Sequence, residues 1–433
     1  MTSAGQIELQ PPPWAEQDGF EEASVRRDIP VESLHAGMVL AEDIYDTAGV
    51  LLLSGGTRIT PELMHHLRQR GLTAVQAVTR DADPPATPER VELETEASQR
   101  LDLLAERSGF EQVQAKTRQE PRPRLGLRDF REVLEHGKAV CASTVPRYAG
   151  IANDLLLAKS SAVEAARGVL TPFLDMLSLD RDVLATLAAF QRAPKDFLFN
   201  HSLNVAQLSM VVGDQLGLPG GQIRELGLGA LLQDIGMLKV AGPFLLAPRS
   251  LTPDEWAQVR QHPVHTLDCL DRMKTIPEIV KFIAYQSHER VDCSGYPRRR
   301  HGMLIHPLAR IVAIADSYMA ISSQRPYRSG KIPYLAMENL LREVGTNRYD
   351  RTIFRNFLDS LSLFPIGSYV ELSDGTTARV LRSNPGHHTK PVVLCLDSDG
   401  SESDEELDLS RMELTQVVRA VDASGPPSGD RDH

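Results

Sequence analysis

The stretch ALLQDIGMLKV, residues 230–240, sets one carboxylate, Asp234, into an otherwise apolar run and puts an amide, Gln233, directly before it. An acid on an apolar face is costly unless it is paired or coordinated. Upstream, Ile223, Leu226/Gly227 and Ala230/Leu231 recur at helical spacing, and Asp234 is the next member of that stripe. The pattern repeats elsewhere. In HSLNVAQLSMVVGDQL (201–216) the stripe Val205, Leu208, Val211/Val212, Leu216 extends back one turn to His201. In IPEIVKFIAYQSHER (276–290), Ile276, Val280 and Ile283/Ala284 lead to Ser287 and His288. In ARIVAIADSYMA (309–320), Ala309 and Val312/Ala313 lead to Asp316. His262 precedes Pro263 and so marks a helix start, a fifth candidate. One such residue alone is more often a hydrogen-bonded core side chain. Four helices doing this together point to a metal, because facing helices of a bundle are a common place to assemble ligands.

The rest of the chain bounds this reading. Its 433 residues suffice for one sizeable core with small satellite domains. No stretch approaches the roughly 20 apolar residues of a membrane span, and the acidic, Pro-rich N-terminus has no signal-peptide core. Four scattered cysteines without a CxxC pair fit a reducing cytoplasm. A net charge of -11 argues against binding a nucleic-acid polymer. Residues 1–28 and 421–433 read as disordered arms. Residues 29–80 read as a small β-rich domain with one helix starting at Thr60-Pro61, and 81–127 as a charged, partly helical linker. Residues 128–363 read as helical, giving a mainly α fold class. From 364 to 420 the period changes to two, with turns at Asp374-Gly375 and Asp399-Gly400, which predicts a small C-terminal β-barrel-like cap.

The segments NHSLNVA, QDIGM, HPVHTLDCL, SHERVDCSGYP and ARIVAIADSYMAISSQRPYR, in this order over roughly residues 192–343, resemble an HD-GYP domain. The resemblance implies a helical HD-superfamily core that holds iron or manganese and hydrolyses cyclic di-GMP to pGpG or GMP. It implies His201, Asp234, His262, His288 and Asp316 as metal ligands, with Asp234 bridging two ions and central to catalysis. Arg325 and Arg328 would reach the phosphates of the dinucleotide, and Tyr296 is a candidate to stack on a guanine. Three positions depart from the family pattern: Gln233 and Ser287 replace histidines, and Met237 replaces a lysine. Cys293 stands where the family usually has glycine.

The departures are distributed. One site would join His201, Asp234 and Asp316 and has lost its histidine at 233; the other would join Asp234, His262 and His288 and has lost its histidine at 287. Amide and hydroxyl oxygens are weaker ligands than imidazole for these metals, so reduced occupancy is expected. His265, one turn beyond His262, reads as a surface histidine, with partial replacement of a lost ligand as the alternative. Arg298, Arg299 and Arg300 read as a solvated basic loop, or as a contact for a phosphate or an acidic partner. Three functions compete: a degenerate HD-GYP protein that binds cyclic di-GMP with weak or no hydrolysis, an active phosphodiesterase with a remodelled site, and an interaction module whose GYP loop contacts diguanylate cyclases (GGDEF proteins) or other signalling proteins.

Overall fold

The computed structural model describes residues 25–30, 43–45, 51–53, 74–79, 93–108, 124–159, 161–189, 197–240, 251–323, 332–397 and 400–421. The helix expected from Thr60-Pro61, Arg325, Arg328, the C-terminal tail and the N-terminal arm up to residue 24 lie outside them. The chain divides into two units, Met1–Thr87 and Pro88–His433. The first contains a four-stranded antiparallel sheet of β1 (Val25–Pro30), β2 (Asp43–Tyr45), β3 (Leu51–Leu53) and β4 (Ala74–Thr79), in the order β1-β4-β2-β3.

The second unit is built on helices: α1 (Glu96–Ser108), α2 (Leu127–Leu156), α3 (Ser161–Leu179), α4 (Arg181–Ala189), α5 (Phe197–Gln215) and α6 (Gly220–Leu232) come first. They are followed by α7 (Pro253–Val259), α8 (His262–Asp271), α9 (Glu278–Gln286), α10 (Pro307–Ser322), α11 (Pro333–Gly345) and α12 (Arg351–Leu361). Helix α5 is its axis. Every residue from His201 to Asp214 is buried, because α4, α6, α10 and α12 all pack on it. The stripe through Val205, Leu208 and Val212 is therefore only part of its apolar surface; Leu203, Ala206 and Met210 are buried as well. A helix enclosed on all sides needs apolar or internally bonded residues all round. Helix α7 begins with a capping box in which Thr252 and Glu255 exchange side-chain and backbone hydrogen bonds.

The C-terminal strands β5 (Tyr369–Leu372), β6 (Thr377–Arg382), β7 (Val392–Leu396), β8 (Glu402–Asp408) and β9 (Val417–Val421) form one antiparallel sheet in the order β8-β7-β6-β5-β9. Among the described residues β8 and β9 are its two edges, and no pairing between them closes the expected barrel. Arg382 anchors this sheet to the helical body. Its buried guanidinium lies 2.7 Å from Asp180, donates to the Leu125 carbonyl at 2.7 Å and sits over the Phe130 ring. A guanidinium this deeply buried is tolerated because its donors are paired.

Candidate metal centre

Five ionisable side chains from five places in the sequence converge beside α5. His201 comes from the first turns of α5, and Asp316 from the middle of α10. Asp234 follows the end of α6, where the chain tightens into a 3-10 turn over Ile235–Lys239. His262 opens α8, with Pro263 in the first turn, where its missing N–H costs nothing. His288 follows α9 directly. The approach of α8 to the 3-10 turn requires glycine at 236, since a Cβ there would lie 2.0 Å from the His262 carbonyl. Thr266 fastens the junction: its hydroxyl accepts from the Gly236 N–H and donates to the Gln233 carbonyl, both at 2.9 Å.

Asp234 divides its two oxygens between two groups. Oδ1 lies 3.2 Å from His262 Nε2 and 3.7 Å from His288 Nε2, while Oδ2 lies 3.8 Å from His201 Nε2. His201 Nε2 is also 2.8 Å from Asp316 Oδ1. Two triads result, Asp234–His262–His288 and His201–Asp234–Asp316, each with its ligand atoms within 4.8 Å of one another and all five residues buried. Burial works to raise the Asp234 carboxyl, but the neighbouring His262, His288 and His201 side chains overcome it and hold the group well below the usual carboxylate range. Asp316 is likewise held low: its burial is outweighed by His201 and the neighbouring imidazoles. Burial lowers His288, against the pull of Asp234. Ionised carboxylates and a neutral imidazole are the forms a cation binds.

The donors fit a divalent ion. His262 Nδ1 lies 2.7 Å from the Val259 carbonyl, an acceptor, so this nitrogen carries the proton and Nε2 presents its lone pair. That lone pair faces His288 Nε2 at 2.9 Å. Gln233, fully buried, donates from Nε2 to Asp316 Oδ1 at 3.4 Å, while its Oε1 is buried without a hydrogen-bond partner among the described residues. A buried carbonyl oxygen on an amide that contacts Asp316 is a donor a hard or borderline cation accepts.

The replaced positions behave differently from one another. The Gln233 amide reaches the centre. The Ser287 hydroxyl, also fully buried, donates back to the Ala284 carbonyl at 3.3 Å. Met237 packs in a small apolar cluster with Val240, Leu251, Trp256 and Val259. His265 is half-buried and joins neither triad among the described residues. Cys293 adopts φ 67, the left-handed region that explains glycine at this place in the family pattern. The Tyr296 ring stacks flat on His288, with centroids 4.8 Å apart and an interplanar angle of 6°.

Several contributors escaped the sequence reading. Glu289 accepts the backbone N–H groups of Arg298 at 2.7 Å and Arg300 at 2.8 Å, and burial pushes its carboxyl up to about 7. Its place in the SHERVDCSGYP segment was the available signal. Tyr148 of α2 donates its hydroxyl to the Leu231 carbonyl at the end of α6, two residues before Gln233; no local pattern marks it. Arg298 and Arg300, open as phosphate contacts on sequence, are instead engaged by Asp102, Glu94 and Glu106.

Residues 183–353 match the family model described as an HD domain. The chain is 35% identical over 190 residues to a cyclic di-GMP phosphodiesterase of Pseudomonas aeruginosa, covering 44% of this chain and 45% of that protein. It is 35% identical over 163 residues to a 3'3'-cGAMP-specific phosphodiesterase of Vibrio cholerae, covering 37% of each. A cyclic di-GMP phosphodiesterase of Thermotoga maritima is 34% identical over 145 residues, 33% of this chain and 38% of that one. The matched region thus spans less than half the length of these curated relatives. No helix among the described residues is long and apolar enough to cross a membrane. With both triads gathered in the matched region, residues 183–353 form an HD domain similar to those of cyclic dinucleotide phosphodiesterases, and Gln233, Met237 and Ser287 lie within it.

Proposed function

We propose that the protein acts in cyclic di-GMP signalling, binding a cyclic dinucleotide at a divalent-metal centre whose hydrolytic power is reduced by Gln233, Met237 and Ser287. The observation that carries this is the division of Asp234 between two triads. His201, Asp234 and Asp316 would hold one ion and Asp234, His262 and His288 the other; iron or manganese suits this mixture of nitrogen and oxygen donors. A bound pair of such ions supplies an activated water and charge neutralisation for phosphodiester hydrolysis.

The chain's own residues prepare for that chemistry. The carboxylates are ionised, His262 presents the correct nitrogen, and the centre is buried enough to strengthen its electrostatics. Arg325 and Arg328 follow α10 and would meet the phosphates with planar forks. Met237 gives an apolar surface where a lysine would add positive charge. With one face of its ring against His288, Tyr296 has only the other available to a guanine. The relatives named for cyclic di-GMP and for 3'3'-cGAMP support a cyclic dinucleotide as the substrate class. Four free cysteines accord with a reducing cytoplasmic setting, and residues 29–80 would form the input domain.

The unsatisfied Gln233 oxygen supports a second reading, an active phosphodiesterase in which the amide takes the histidine's place. One experiment separates the readings: load the protein anaerobically with Fe(II) or Mn(II), then measure bound metal, nucleotide binding and turnover of cyclic di-GMP and 3'3'-cGAMP. The expected result is incomplete occupancy, nucleotide binding and very slow hydrolysis, rising in a Gln233→His, Met237→Lys, Ser287→His variant. A full, tightly held complement with robust turnover lost in Asp234→Ala establishes the second reading. Absence of nucleotide binding, with capture of a GGDEF protein that depends on Tyr296, would leave the loop as an interaction module.

A further inference from the structure

Helix α1 arises from the charged linker, yet it docks on the back of the two helices that present His262 and His288. Its stripe of Ala97, Leu101 and Ala105 is buried against Val264 and Leu267 of α8 and Phe282 and Tyr285 of α9. Beside that stripe, Asp102 is buried as well. Its Oδ2 accepts from Arg298 Nε at 2.9 Å and from the Tyr285 hydroxyl at 3.2 Å, and its Oδ1 lies 3.2 Å from Arg300. Arg298 also donates to Ser98 Oγ at 3.1 Å and to the Leu93 carbonyl at 3.2 Å, and Arg300 pairs with Glu106 at 2.6 Å.

The same loop is gripped from its other side. The backbone N–H groups of Arg298 and Arg300 end on the Glu289 carboxylate, one residue beyond His288. The Tyr296 N–H donates to the His288 carbonyl at 3.1 Å, and glycine is required at 295, where a Cβ would lie 2.4 Å from the Arg290 nitrogen. Tyr296, stacked on His288, also packs against the apolar cluster that α1 completes. A continuous set of contacts therefore runs from Asp102 through Arg298 and Tyr296 to His288.

We infer that Asp102 is a positioning residue for the metal centre: by holding Arg298 it fixes loop 295–300, and Tyr296 in that loop fixes the ring of His288. The metal arm of this inference rests on the proposed metal centre; the loop arm does not. Contacts that orient metal ligands typically set affinity within roughly 10–100-fold. Surface pairs such as Arg100 with Asp271, nearly half exposed on the arginine side, add little to the docking. The buried Asp102–Arg298 pair is different, since removing one partner leaves a buried charge.

The test uses the full chain, with Asp102→Asn beside Leu103→Ser on the exposed face of α1. Hydrogen–deuterium exchange on the metal-free protein should show faster exchange over both 96–108 and 288–300 in Asp102→Asn, and no change in Leu103→Ser. Calorimetry with Mn2+ should show roughly tenfold weaker binding in Asp102→Asn. If that variant does not fold, Tyr296→Leu leaves the buried ion pair intact; it should weaken Mn2+ to a similar degree while exchange over 96–108 stays as in the wild type. Faster exchange confined to 96–108, with 288–300 and Mn2+ affinity unchanged, overturns the inference, as does wild-type affinity in Tyr296→Leu. A wild type that binds no Mn2+ sinks the metal reading of the centre, and the exchange arm then decides this inference by itself.

Discussion

The two triads share Asp234 and each lacks one imidazole, but their losses are unlike. On the His201–Asp234–Asp316 side, the replacement is an amide that still reaches Asp316 and holds a buried oxygen with no partner among the described residues. On the Asp234–His262–His288 side, the replacement is a hydroxyl turned back onto the Ala284 carbonyl. That side compensates with two imidazoles, one fixed in its tautomer by the Val259 carbonyl and the other backed by the Tyr296 ring. What a substitution does to a metal centre thus depends on where the new polar atom points, as well as on its rank as a ligand. A hydroxyl that donates to its own helix has its rotamer set by that carbonyl.

The largest effect should come from the residue the triads hold in common. Asp234→Ala removes a carboxylate from both and should lower metal affinity by more than about 100-fold, beyond the loss typical of outer contacts. Elemental analysis after dialysis reads this, and one ion still firmly held would show that the triads do not depend on a shared ligand. Next in size is the phosphate side. Arg325→Ala with Arg328→Ala should weaken cyclic di-GMP binding at least roughly tenfold, given about 1.5–3 kcal/mol for each charge-assisted contact. Salt dependence in calorimetry should flatten in that variant, and metal content should hold. Unaltered nucleotide affinity would place recognition within the triads themselves.

The comparison between triads is sharpened by truncating each replacement. Gln233→Ala should weaken binding of the ion at the His201–Asp234–Asp316 triad by roughly tenfold, the lower end for a modest donor, whereas Ser287→Ala should leave metal titrations unchanged. Equal effects, or the reverse order, would break the distinction drawn between amide and hydroxyl. The smallest effect lies outside both triads, in the loop between them and α1. Cys293 holds φ 67, so Cys293→Gly should relieve left-handed strain and, after the entropy glycine adds to the unfolded chain, stabilise by about 0.5–1 kcal/mol. A shift in the denaturant midpoint with unchanged metal affinity is the expected reading, and a lower midpoint would contradict it.

Much of the centre was legible before any coordinates. His201, Asp234, His288 and Asp316 each continue an apolar stripe at helical spacing, and His262 sits at a Pro-marked helix start. Burial of the stripe therefore forces burial of the polar residue, and five such residues must meet partners. Periodicity could not show that α5 is enclosed on every side, because its hidden faces carry Ser202, Asn204 and Gln207 among apolar residues. Nor could it separate a solvated basic loop from a tethered one. Arg298 and Arg300 are tethered by Asp102 on the buried flank of α1 and by Glu94 and Glu106 beside it, nearly two hundred residues earlier.

The sequence by itself determined the helical core, the switch to strands after residue 363, the five converging polar residues and the three altered signature positions. Each is a matter of residue type at a local period, which the backbone geometry of a helix or strand turns directly into a face. Only the tertiary structure decided that Asp234 splits its oxygens between two triads, that Gln233 points in while Ser287 points away, and that α1 clamps the Tyr296 loop. These depend on rotamers and on contacts between segments far apart in the chain. Those are set by how the packed interior fills and by which buried polar atoms find partners, and no local pattern encodes either.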